Sequence, residues 1–122
     1  MHRWLASVIR SFGPALTGVA WALKTQRNLQ CHAGATVLVA LLGLWLRIAA
    51  WEWCAVMLAT GMVWAAELMN TALEVLADRV SQKREEAIRR AKDAAAGAVL
   101  MAALGALGVG LMVFLPRLWL LL

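Results

Sequence analysis

The sequence predicts an all-α membrane protein, with three transmembrane helices preceded by an N-terminal amphipathic surface helix. Three observations carry that expectation. The chain has 122 residues, one domain by length, yet 63% of them are hydrophobic and the mean hydropathy is +0.73; this apolar share exceeds what a soluble core can bury, so the surplus faces lipid. The stretch from Ala94 to Leu115 contains no charged residue, and at about 1.5 Å per residue it crosses a hydrocarbon layer of roughly 30 Å. The basic residues are segregated between what become two sides of a membrane.

The first element is the surface helix, expected over about 3–24. Trp4, Leu5, Val8, Ile9 and Phe12 recur at helical spacing, with Arg3, Ser7, Arg10 and Ser11 on the other side. Gly13 and Pro14 are expected to break the helix, after which Leu16, Val19, Ala20 and Leu23 restart the apolar stripe and carry it to a turn over 25–28. The same interruption argues against a signal peptide. The first span, about 29–48, is free of formal charge from Leu29 to Leu46 and ends in Trp45 and Arg47, an aromatic ring and a cation suited to the headgroup layer. Residues 48–52 leave room only for a tight connection, so the first two spans form a helical hairpin.

The second span is expected over about 53–78. Its apolar part, Trp53 to Ala66, is short for a crossing, but the helical pattern continues through Glu67, Asn70 and Glu74 to Asp78. The polar stretch 79–93 forms the second connection, where Lys83, Arg84, Glu85, Glu86, Arg89 and Arg90 alternate in sign and read as self-paired surface charge. The third span, about 93–115, carries Ala94, Gly97, Ala98, Ala102, Gly105 and Gly108, small residues that permit close helix packing. Of the twelve Lys and Arg residues, Arg3, Arg10, Lys24 and Arg27 precede the first span and six more lie in 79–92; only Arg47 and Arg117 fall on the opposite side. Positive-inside counting therefore places the N-terminus and the second connection in the cytoplasm and the C-terminus outside. The net charge of +5 reads as topology plus attraction to anionic lipid or a polyphosphate, and no nucleic-acid partner is expected.

The seven Trp, in a chain without Tyr, largely follow the span ends, at Trp21, Trp45, Trp51, Trp53 and Trp119, while Trp64 lies deeper and is expected to pack. Cys31 and Cys54 lie in apolar runs and are expected to be inert buried thiols.

Chemistry concentrates on the second span. Glu67, Asn70, Glu74 and Asp78 are spaced 3, 4 and 4 residues apart, which at about 100° per residue keeps them within a stripe of roughly 80°. Glu67 falls about 21 Å along the helix from Trp53, at the cytoplasmic boundary of the hydrocarbon. An ionisable group costs roughly 2.5–3.5 kcal/mol at the bilayer centre and less at the boundary, so the glutamates imply a compensating partner or cation. Interhelical hydrogen bonding is the plainer alternative. Two carboxylates with an intervening carboxamide offer the hard oxygens that Mg²⁺ prefers, and Mg²⁺ is commonly shared with nucleotide phosphates. Lys92 and Asp93 stand side by side at the start of the third span, Lys92 as a point charge for phosphates and Asp93 as a helix cap. The chain carries no Gly-rich phosphate loop, nucleophile elbow or zinc spacing. A lone His32 at a span start reads first as a helix hydrogen-bonder.

The run from Ala66 to Asp78, with Glu67, Asn70, Glu74 and Asp78, followed by Ala91-Lys92-Asp93-Ala94 and the small residues beyond it, closely resembles the bacterial diacylglycerol kinase and undecaprenol kinase family. The likeness begins near Arg10 and takes in Phe12-Gly13, Thr17-Gly18, Lys24-Thr25, Arg27-Asn28 and Glu52-Trp53, nearly the whole chain. It implies a homotrimer in the bacterial inner membrane that transfers the γ-phosphate of ATP to a lipid hydroxyl, of diacylglycerol or undecaprenol, at the cytoplasmic interface with Mg²⁺. Sites in the family lie between subunits. On that resemblance Glu67 is the catalytic base and contacts the lipid substrate, as does Arg10. Glu74 holds metal and nucleotide; Asn70, Lys92 and Asp93 contact the nucleotide; and Asp78 is a hinge or loop-orienting group. His32 stands where undecaprenol-type members commonly carry histidine. Gln26 is a departure, because the family usually has a metal-holding glutamate there. A neutral oxygen implies weaker metal binding, and it supports the alternative of a catalytically impaired or non-catalytic membrane oligomer of the same fold. A small ion conduit would also use intramembrane carboxylates but leaves Lys92-Asp93 unexplained.

Overall fold

The computed structural model describes residues 1–83 and 85–122; Arg84, expected among the alternating loop charges, lies outside the described residues. The described chain is helical almost throughout: α1 (His2–Thr25), α2 (Arg27–Leu46), α3 (Ala50–Val80) and α4 (Glu86–Leu121). The last three are long and apolar enough to cross a membrane. α3 has 31 residues and α4 has 36, lengths of about 46 and 54 Å that exceed a hydrocarbon layer of roughly 30 Å. α3 and α4 form the most extensive pairing, and α2 packs mainly against α3.

Side chains close into a tight core at one end of the bundle, where Ile48, Val56, Val113 and Phe114 are buried together and Val39, Leu42, Leu46, Trp53, Val109 and Leu118 pack against them. Beside this core Arg117 of α4 donates two hydrogen bonds of 2.5 Å to the Glu52 carboxylate, which also accepts the Ala49 N–H at 3.0 Å. One carboxylate thereby satisfies an otherwise orphaned donor at the start of α3 and clasps α3 to α4. Most other large apolar side chains are exposed, among them Leu38, Leu41, Met57, Leu58, Met62, Leu104 and Met112. That pattern suits helices whose outer faces meet lipid or neighbouring subunits rather than water.

α2 ends in a Schellman arrangement. Ile48 N–H reaches the Gly43 carbonyl at 3.2 Å and Arg47 N–H the Leu44 carbonyl at 3.3 Å, with Arg47 left-handed at φ 51°, ψ 54°. That conformation ordinarily favours glycine. Gly43 allows the close approach this turn requires, because the Trp53 ring lies where a side chain would stand.

Four expectations change. Gly13 and Pro14 do not break α1, which runs unbroken through both. Pro14 loses its own N–H bond and crowds the carbonyl one turn back, but the glycine before it has no Cβ to add to the crowding, and the helix continues. The turn expected over 25–28 shrinks to Gln26 alone, extended at φ −109°, ψ 112°, with Gln26 N–H still bonded to the Ala22 carbonyl at 2.8 Å. The connection expected over 79–93 is mostly helix, since α3 continues to Val80 and α4 begins at Glu86. Its charges pair along the first turns of α4, Glu86 with Arg89 at 2.6 Å and with Arg90 at 3.1 Å. Cys31 and Cys54 are exposed on the chain rather than buried, on helices whose outer faces are largely apolar and uncovered.

Candidate functional site

The polar stripe of α3 runs from the interior of the bundle outward. Glu67 is 4% exposed. Its Oε1 lies 3.1 Å from Nε2 of His32 on the antiparallel α2. One turn toward the core, the Trp64 indole N–H donates to Thr36 Oγ1 at 2.9 Å, and the Thr36 hydroxyl donates in turn to the His32 carbonyl at 2.7 Å. Two polar contacts thus register α2 against α3, each between side chains that hydrocarbon alone would leave unsatisfied.

Beyond Glu67, Asn70 is half-buried; its amide Nδ2 leans on Glu74 Oε1 at 3.5 Å, while its Oδ1 is buried with no hydrogen-bond partner among the described residues. Glu74 itself is exposed. A turn further on, Asp78 accepts from Lys92 Nζ at 2.5 Å, which joins the end of α3 to the start of α4. The two helix ends and their connection surround an open polar hollow of about 550 Å³, lined by Asp78, Gln82, Lys83, Glu86, Arg89 and Lys92 among others. A hollow of that size accommodates a small-molecule ligand.

The structure therefore gathers Glu67, Asn70, Glu74, Asp78 and Lys92 into one continuous track. Asp93 departs from its expected capping role. It lies inside α4, beyond the first turn, and faces Arg89 at 3.6 Å; a residue there has no orphaned N–H to accept. Adjacent helix positions diverge by about 100°, so Lys92 and Asp93 reach different partners. Gln26 sits at the break between α1 and α2, with its carboxamide donating to Thr25 Oγ1 at 3.3 Å. Arg10, on exposed α1, donates to the Ala6 carbonyl at 3.2 Å.

Among the described residues no three His, Cys, Asp or Glu side chains converge as a metal cage. Along the track, the oxygens without a charged partner are the Glu74 carboxylate, met only by Asn70 Nδ2 at 3.5 Å, and the buried, unpartnered Asn70 Oδ1; the Gln26 carboxamide oxygen likewise accepts no hydrogen bond among the described residues. This hard, sparse donor set fits a divalent cation that draws its other ligands from phosphate and water, as Mg²⁺ does, and does not fit a fully protein-caged ion.

The contact between His32 and Glu67 is the feature that sequence reasoning missed. A usable signal was present: counted from Ile48, the two residues lie about 24 and 28 Å out along antiparallel helices, within one turn of each other.

The chain matches the family described as prokaryotic diacylglycerol kinase over residues 13–114. It is 38% identical over 109 residues to undecaprenol kinase of Bacillus subtilis (strain 168), covering 89% of each protein. It is 40% identical over 113 residues to diacylglycerol kinase of Synechocystis sp., covering 92% of this chain and 65% of that relative.

Proposed function

The chain belongs to the prokaryotic diacylglycerol kinase family, membrane lipid kinases, and on that premise we propose that it transfers the γ-phosphate of ATP to the hydroxyl of a membrane lipid alcohol, diacylglycerol or undecaprenol, at the cytoplasmic interface. The observation that carries this reading is a carboxylate, Glu67, buried where an apolar helix turns polar, with an oxygen-rich track leading from it to a lysine. An amphipathic lipid places its hydroxyl at headgroup depth, the level of Glu67, and a lipid alcohol needs both a base for its proton and charge neutralisation for the phosphoryl group.

Glu67 accepts the hydroxyl proton as the lipid oxygen forms its bond to the γ-phosphorus. The bond from that phosphorus to the bridging oxygen breaks, and ADP leaves with the electron pair. Glu74 would hold the metal and meet the nucleotide, with the Gln26 carboxamide as a weaker neutral ligand, and Asn70 contacts the nucleotide beside them. When bound, Mg²⁺ would supply charge neutralisation for the phosphates. Lys92 exchanges Asp78 for phosphate oxygens; both side chains are substantially exposed, so the pair costs at most about 1 kcal/mol to open. Asp93, turned away from Lys92 and paired with Arg89 of the hollow's lining, contacts the nucleotide from that side, and Asp78 keeps the ends of α3 and α4 in register.

The whole chain, 1–122, acts as one lipid-kinase domain, with its spans within about 29–48, 53–78 and 93–115. α1 lies on the cytoplasmic surface of the inner membrane, with exposed Trp4, Leu5, Val8, Ile9 and Phe12 in the headgroups and Arg10 near the lipid substrate. The N-terminus is cytoplasmic and the C-terminus outside. A homotrimer completes the site, supported by the exposure of Glu74 and by small residues along α4 that leave room for a neighbour.

The test is phosphoryl transfer from γ-labelled Mg-ATP by purified protein in mixed micelles, with diacylglycerol and undecaprenol offered separately. Label in one lipid confirms the kinase and names its acceptor. Label in neither, with the protein folded, refutes the proposal.

A further inference from the structure

We infer that His32 is a positioning residue for Glu67, holding one carboxylate oxygen so that the other faces the acceptor hydroxyl. The inference rests on the reading of Glu67 as the base. Its Oε1 stands 3.1 Å from His32 Nε2, and the Glu67 side chain retains only 5% of its accessible surface against 30% for His32. An ionised carboxylate only accepts hydrogen bonds, so Nε2 carries the proton in this contact, and the neutral Nε2–H tautomer suffices. Among the described residues no other side chain bonds the Glu67 carboxylate. A buried carboxylate with a single donor has its rotamer set by that donor.

The backbone that carries the imidazole is itself held. The Trp64 indole anchors Thr36, and Thr36 bonds back to the His32 carbonyl, so the turn of α2 bearing His32 is pinned to the turn of α3 just before Glu67. His32 also borders an open pocket of about 120 Å³ with Val39, Thr60 and Val63. The contact with Glu67 is the ring's one hydrogen bond among the described residues.

Steady-state kinetics in mixed micelles test this with His32→Leu, His32→Asn, His32→Gln, Glu67→Gln and the His32→Leu/Glu67→Gln double variant. His32→Leu removes the donor and lowers kcat about ten- to a hundredfold, the range of one hydrogen bond to a charged group. KM for Mg-ATP stays unchanged. His32→Gln returns an amide N–H near the position of Nε2 and restores most of kcat, whereas the shorter His32→Asn does not. The double variant is no slower than Glu67→Gln alone. Should His32→Leu fail to fold, the contrast between His32→Gln and His32→Asn decides, since both retain polarity. Wild-type kcat in His32→Leu, or in His32→Asn, with Glu67→Gln inactive, overturns the inference and leaves Glu67 as the base. Wild-type turnover in Glu67→Gln overturns the underlying reading instead.

Discussion

Replacing Gly43 by alanine isolates the packing that holds the α2–α3 hairpin closed. A Cβ at that position would lie 2.7 and 2.9 Å from Cη2 and Cζ2 of Trp53 and 3.2 Å from Cδ1 of Ile48. The first two separations are shorter than carbon atoms tolerate, and the indole is confined by the core around Ile48 and Val56. Overpacking of this kind costs about 1–3 kcal/mol. Removing glycine from a helix returns about 0.5–1 kcal/mol, so Gly43→Ala is expected to lose up to about 2.5 kcal/mol, centred near 1. Reversible unfolding in detergent micelles, followed by tryptophan circular dichroism, measures it. In a Trp53→Phe background the two offending ring atoms are gone and the same substitution becomes neutral or favourable, a coupling of about 1–3 kcal/mol. Gly43 lies about 16 Å along α2 from His32, so turnover of the folded fraction is preserved. A gain in stability in the parent background would refute the packing argument.

Gln26→Glu is expected to lower the metal concentration at half-maximal activity several-fold, because affinity for a hard cation rises with the number of charged ligands; a metal titration of initial rates checks it, and no change excludes Gln26 from the metal site. Arg47→Gly should raise stability by about 0.5–1 kcal/mol in the same unfolding assay, the left-handed strain it relieves less the entropy glycine adds. Lys92→Ala should raise KM for Mg-ATP with the fold intact, whereas Asp78→Asn, which frees Lys92 from an exposed pair worth at most about 1 kcal/mol, should change KM by less than about fivefold. Saturation kinetics on both variants separate a phosphate contact from a purely structural pair.

The three apolar helices were legible because hydropathy and charge segregation report directly on a lipid environment. The stripe from Glu67 to Asp78 was legible because helical spacing fixes its face once the helix is known. What escaped depends on register between helices or on the balance at a single residue. Pro14 sits inside α1 because tolerance of a missing hydrogen bond is not written in composition. Asp93 reads from sequence as a helix start, but the helix begins further back, at Glu86, since charged residues extend a helix into water as readily as they end a span. The pairing of His32 with Glu67, and of Thr36 with Trp64, needs two helices placed side by side. A histidine read alone gives no partner.

The most direct test of the central claim is to measure Glu67→Gln twice, once for turnover with the preferred lipid and once for Mg-ATP affinity by calorimetry. With Glu67 as the base, kcat falls by about 10²–10⁴, the usual contribution of a general base, and nucleotide affinity is retained. Turnover close to wild type, or a loss explained wholly by failed Mg-ATP binding, would contradict it.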